Sequence, residues 1–143
     1  LKIIVTGGSG FIGHNLVVYL LSKGHQVLNI DIKSPPDSSY DRFWYKADLV
    51  ESEQYHTQFV QFSPDYVFHL AARTDLKGTH ISEYEVNTQG VNDLLEVCAG
   101  SLSIKRIIIA SSMLVCKAGY IPSDENDYAL IPYMEKVKSS QKE

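Results

Sequence analysis

The residues with the clearest chemical meaning stand early in the chain, where Thr6-Gly7-Gly8-Ser9-Gly10-Phe11-Ile12-Gly13 joins an apolar run to an amphipathic one. Glycines at this spacing, between a strand and a helix, divide three tasks. Gly7 makes the tight turn, Gly10 lets the backbone approach a phosphate, and Gly13 lets the helix lie close to the sheet. The N–H groups at the helix start, at Phe11, Ile12 and Gly13, then hold a pyrophosphate with the positive end of the helix dipole and without a lysine. Asp31 follows 18 residues after Gly13, at the end of the second apolar run. A carboxylate there accepts hydrogen bonds from an adenosine ribose and repels a 2′-phosphate. Together these signals predict NAD rather than NADP, with Lys33 working against the preference. The competing reading is a purely structural turn with Asp31 as a strand-end cap.

Other reactive side chains read more plainly. His14 is expected at the surface or near the phosphates, and His69 in the core. His25, His56 and His80 have no ligand-like spacing, so no metal site is expected. Cys98 and Cys116 form no Cys-x-x-Cys pair, so buried free thiols in a reducing, cytoplasmic setting are expected. Trp44 and Tyr45 read as core. Arg73, Thr74, Asp75 and Lys77 either line a substrate phosphate or form a solvated loop.

These residues need a scaffold, and the pattern supplies one. With 143 residues, 44% hydrophobic and 21% charged, the chain can build one globular core without disulfide or metal. A net charge of -4 with no basic stripe argues against a nucleic-acid partner. No apolar run approaches the roughly 20 residues of a membrane span, and no secretory pattern opens the sequence. Strands are predicted at 1–6, 26–30, 43–47, 66–70 and 105–110, the last as a central strand apolar on both faces. Helices are predicted at 11–22, 51–62 and 82–99. Their apolar stripes are Ile12, Leu16, Leu20 with Val17 and Leu21, then Tyr55, Phe59, Phe62, then Val91, Leu94, Leu95, Cys98. Beyond Ser111 the pattern weakens into a loop with Pro122 and the acids Asp124, Glu125 and Asp127, and a last helix is expected near Pro132 or Tyr133. Alternating strands and helices imply an α/β fold with a parallel sheet between helical layers.

At the glycine turn the sequence resembles the extended branch of the short-chain dehydrogenase/reductase family, the NAD-dependent nucleotide-sugar epimerases and dehydratases. Further segments carry the resemblance in order: Asp48-Leu49, His69-Leu70-Ala71-Ala72, Asn87-Thr88-Gln89-Gly90, Ser111-Ser112-Met113-Leu114-Val115-Cys116 and Pro132-Tyr133. The resemblance implies a three-layer Rossmann sandwich with strand order 3-2-1-4-5 and NAD across the strand carboxyl ends. It implies that Asp48 and Leu49 contact the adenine, that Leu70, Ala71 and Ala72 leave room for the cofactor, and that Asn87 works beside it. It further implies a base, Tyr133, and a hydroxyl donor, Ser112, with Ser111 as the fallback.

The family pattern asks for a lysine four residues after its tyrosine, where this sequence has Val137; Lys136 and Lys138 flank it. Residues three and four apart share a helix face, so Lys136 is the candidate. The alternatives are an absent residue or a broken tetrad. The implied activity is transient oxidation of a sugar hydroxyl, so a nucleotide sugar is the expected substrate and a homodimer is a candidate assembly. A non-catalytic NAD-binding module and a reductase acting on a carbonyl are the competing readings. Since the motifs reach Tyr133 close to the end, residues 1–143 are expected to be the NAD-binding portion of an enzyme whose substrate lobe lies outside this chain.

Overall fold

The computed structural model describes residues 1–75 and 77–112. The chain divides into two units, Leu1–Ile109 and Ala110–Glu143, and the first contains the five-stranded sheet. Strand β1 (Lys2–Thr6) is buried at Ile3, Ile4, Val5 and Thr6, because parallel neighbours flank it on both edges and helices cover both faces. Helix α1 (Phe11–Ser22) ends where Gly24 takes φ +77°. Strand β2 (Gln26–Asp31) then pairs with β1, and the short β3 (Trp44–Lys46) pairs with β2. Helix α2 (Ser52–Phe62) leads to β4 (Tyr66–His69), which lies on the other side of β1. Helix α3 (Gln89–Ala99) leads to β5 (Arg106–Ile109) beside β4. The sheet order is β3-β2-β1-β4-β5, every pair parallel, as expected for a Rossmann fold.

Alternation along the strands divides the core in two. Ile3, Val5 and Val27 meet Val17 and Leu20 of α1 on one face. Ile4, Leu28, Ile30 and Val67 meet Tyr55, Phe59, Leu94, Val97 and Cys98 of α2 and α3 on the other. Burial pushes the Cys98 thiol up to about 11, as befits an inert core cysteine. Tyr55 is fully buried and its phenol is likewise pushed up by burial.

Four expectations are corrected. Ile12 is 68% exposed, and the stripe of α1 runs through Gly13, Val17 and Leu20. Strand β5 is an edge strand among the described residues, with Ile109 44% exposed, because a strand's burial depends on its neighbours and not on its own apolarity. In α3 the buried set is Gly90, Leu94, Val97 and Cys98, with Leu95 partly exposed.

The helix expected over 82–99 is broken. A 3-10 segment, Ile81–Asn87, precedes α3, and Thr88 between them has φ -127°, ψ -71°. Long-range bonds cause the break. Asn87 Oδ1 accepts from the Arg73 backbone N–H (2.8 Å) and Asn87 Nδ2 donates to the Arg73 carbonyl (2.9 Å). Glu83 Oε1 accepts from the N–H groups of Thr79 and His80, which holds its carboxyl below the usual carboxylate range, with Arg73 adding to the effect.

Candidate functional site

The glycine turn lies at the carboxyl end of β1, where β2 and β4 diverge to either side. Gly7 has φ +71°, and a Cβ there would lie 2.6 Å from the Ala71 backbone nitrogen. Any larger residue would be both strained and in collision. The turn closes through Gly7 N–H to Ile30 O (2.9 Å) and Gly10 N–H to Gly7 O (3.1 Å). At Gly13 a Cβ would overlap the Gly7 carbonyl oxygen and lie 2.7 Å from Gly8 Cα, so the first turn of α1 rests directly on the loop. That helix starts at Gly10 with no side-chain cap and no acidic residue in its first turn. Most helix starts carry such groups to satisfy their N–H donors. Leaving them out keeps the positive helix end available to an anion. The residues therefore fit a dinucleotide pyrophosphate.

Asp31 ends β2 beside the turn. Its Oδ2 accepts from the Ser9 N–H (3.0 Å) and its Oδ1 from the Lys33 N–H (2.9 Å). A carboxylate offers about four acceptor positions, so two remain for ribose hydroxyls. The Trp44 indole N–H donates to the Asp31 carbonyl (2.9 Å), so Trp44 braces the strand end. Under the turn, Thr6 Oγ1 and His69 Nδ1 lie 2.7 Å apart, buried, and link the ends of β1 and β4. Burial lowers the His69 pKa below its ordinary 6.5, so the folded protein holds this ring neutral. The unfolded chain accepts a proton that the fold refuses, so this contribution to stability is complete above about pH 6.5 and lost as pH falls toward the folded pKa. His69→Gln should therefore flatten the fall in unfolding free energy between pH 7 and pH 5, by up to about 1.4 kcal/mol per pH unit in urea titrations.

Leu70 continues from β4, its N–H donating to Thr6 O (3.0 Å), and Ala71 lies against Gly7. Ala72 is exposed beyond it. Asp48 Oδ1 accepts from the Val50 N–H (3.2 Å) at the entry to α2. Leu49 is buried in the core beneath Gly90. Asn87 holds the loop after β4 by its two bonds to Arg73. The Arg73 guanidinium is engaged inside that loop, by Asp75 (3.0 Å) and Glu83 (3.1 Å), and lies over the Tyr84 ring. His14 packs edge-on against Tyr40.

Ser111 and Ser112 belong to the second unit, Ala110–Glu143. Cys116, Tyr133 and Lys136 lie outside the described residues, as do the acidic loop and the expected last helix. Among the described residues no cluster of His, Cys, Asp or Glu is arranged to hold a metal ion, and no helix is long and apolar enough to cross a membrane. Reading the sequence missed Asn29 and Ser9, which join the turn to β2: Asn29 Nδ2 donates to Ser9 Oγ (3.0 Å). The available signal was an amide inside an otherwise apolar strand.

The family model described as NAD dependent epimerase/dehydratase matches residues 3–138. The chain belongs to this family. Among relatives, it is 34% identical over 108 residues to a protein of Sinorhizobium fredii named probable dTDP-glucose 4,6-dehydratase, with 67% of this chain and 31% of the relative covered. It is 32% identical over 126 residues to a 3-beta-hydroxysteroid dehydrogenase of Mycolicibacterium neoaurum, covering 82% of this chain and 34% of the relative. The chain thus spans about a third of the length of these curated relatives. Among solved structures, a Thermus thermophilus UDP-glucose 4-epimerase in complex with NAD matches with TM-score 0.73 and 26% identity, over 90% of this chain and 44% of that one.

Proposed function

We propose that this chain binds NAD across the carboxyl ends of β1, β2 and β4, and is the cofactor-binding portion of a nucleotide-sugar epimerase or dehydratase. One observation carries the reading: the uncapped start of α1 rests on a glycine turn whose Ser9 N–H is bonded to the strand-end carboxylate of Asp31. The family membership and the sugar-nucleotide enzymes among the matches, two of them named above, support the substrate class.

Bound NAD would supply a reversible hydride acceptor. The chain's residues do the rest. The N–H groups of Phe11, Ile12 and Gly13 hold the pyrophosphate, and Asp31 accepts from the adenosine ribose. Asp48 and Leu49 serve the adenine end, Leu70, Ala71 and Ala72 leave space above β4, and Asn87 keeps the following loop clear of the crevice. Tyr133 takes the proton of a sugar hydroxyl, and Ser112 donates to the same oxygen as it becomes a carbonyl. A free phenol has a pKa of about 10, so Tyr133 needs a nearby cation, and Lys136 is the proposed one.

In the full-length protein Tyr133→Phe should lower turnover of UDP-glucose or dTDP-glucose by about a hundredfold or more, the scale of a lost general base, with NAD affinity nearly unchanged. A large loss of NAD affinity instead would place Tyr133 in binding and overturn its assignment. The identity to a hydroxysteroid dehydrogenase favours a second reading, an enzyme that exchanges its cofactor. Net NADH accumulation with a secondary alcohol, and none with either sugar nucleotide, would select it.

A further inference from the structure

Strand β2 reads Gln26-Val27-Leu28-Asn29-Ile30-Asp31, and its fourth residue conflicts with its position. Asn29 is 1% exposed, pairs with Val5 of β1 and Trp44 of β3, and by alternation shares the α1 face with Val27. That face is otherwise lined by Ile3, Val5, Val17 and Leu20, among which a valine would pack without desolvating a polar group. Worse for stability, Asn29 Oδ1 has no hydrogen-bond partner. A local choice that opposes the fold is expected where function requires it.

The amide reaches the phosphate turn. Its Nδ2 donates to Ser9 Oγ (3.0 Å), and its side chain fills the space beside Gly8: a Cβ on Gly8 would overlap Oδ1 and lie 2.6 Å from Cγ. Ser9 in turn gives its N–H to Asp31 Oδ2 (3.0 Å). Asn29 and Asp31, two apart and so on one face of β2, hold Ser9 from two directions, one by the hydroxyl and one by the backbone. We propose that Asn29 is a positioning residue for cofactor binding: through Ser9 it fixes the phosphate turn and the Asp31 carboxylate in one rigid arrangement before the dinucleotide arrives.

This inference rests on the NAD reading above, and the test separates the two. NAD is titrated calorimetrically into the wild-type chain and into Asn29→Val, Ser9→Ala and the double variant, with melting temperatures recorded. Loss of one such bond should weaken NAD by about five- to tenfold in each single variant. The double variant should lose no more, because both changes remove the same link. Asn29→Val should melt no lower than wild type, since it also removes an unsatisfied buried acceptor; a merely structural role would lower melting temperature together with affinity. If Asn29→Val does not fold, Ser9→Ala, which leaves the strand intact, decides alone. Affinities within twofold of wild type, or losses that add in the double variant, would overturn the positioning role while leaving NAD binding in place. Failure of the wild-type chain to bind NAD would instead strike the underlying reading.

Discussion

Gly13→Ala is expected to weaken NAD binding by about a hundredfold or more while leaving a folded protein. The new methyl group would overlap the Gly7 carbonyl oxygen and crowd Gly8 Cα, and both are backbone atoms that cannot rotate aside. Either α1 lifts from the turn or the turn moves outward. Both displace the N–H groups at Phe11, Ile12 and Gly13 from the positions proposed to hold the pyrophosphate. Hydrogen bonds to a charged group contribute about 1.5–3 kcal/mol each, so misplacing two reaches the hundredfold scale. The fold itself should lose about 1–3 kcal/mol, the usual range for overpacking, because the remaining core of α1 at Val17 and Leu20 is untouched. Circular dichroism and calorimetric titration check both halves. NAD affinity equal to wild type would show that the turn does not hold the pyrophosphate.

Asp31→Ala should weaken NAD by about a hundredfold or more, the scale of two lost charge-assisted bonds to ribose hydroxyls. NADP should weaken much less, since its 2′-phosphate gains from removal of the negative charge what it loses in bonding. The structure adds a control. Asp31 also braces the turn through Ser9 N–H and the following residues through Lys33 N–H. If bracing were its whole role, NAD and NADP would weaken equally. Parallel titrations with the two dinucleotides decide, and equal losses would refute the ribose assignment.

The strand, glycine turn and helix start were legible because their signals are local. A strand, three glycines and a helix start lie within a dozen residues, and Asp31 follows at a spacing fixed by one helix and one strand. What resisted reading depends on distant partners. The kink at Thr88 comes from bonds between Asn87 and Arg73, 14 residues apart, and a helix predicted over 82–99 from the stripe Val91, Leu94, Leu95 and Cys98 gives no sign of them. The three isoleucines of β5 look like a central strand, yet its half-exposure follows from its place at the sheet edge among the described residues. Ile12 has the spacing of a core residue, but the helix must turn Gly13 toward the sheet to rest on the turn, and that rotates Ile12 outward. Asn29 was visible only as a polar residue in the wrong place; its meaning needed the position of Ser9.

Whether the turn and Asp31 together form an NAD site is decided by calorimetric titration of the folded chain with NAD and, in parallel, with NADP. Saturable binding of one NAD per chain, tighter than NADP, is the expected result. A chain that is folded by circular dichroism and shows no saturable NAD binding would contradict it.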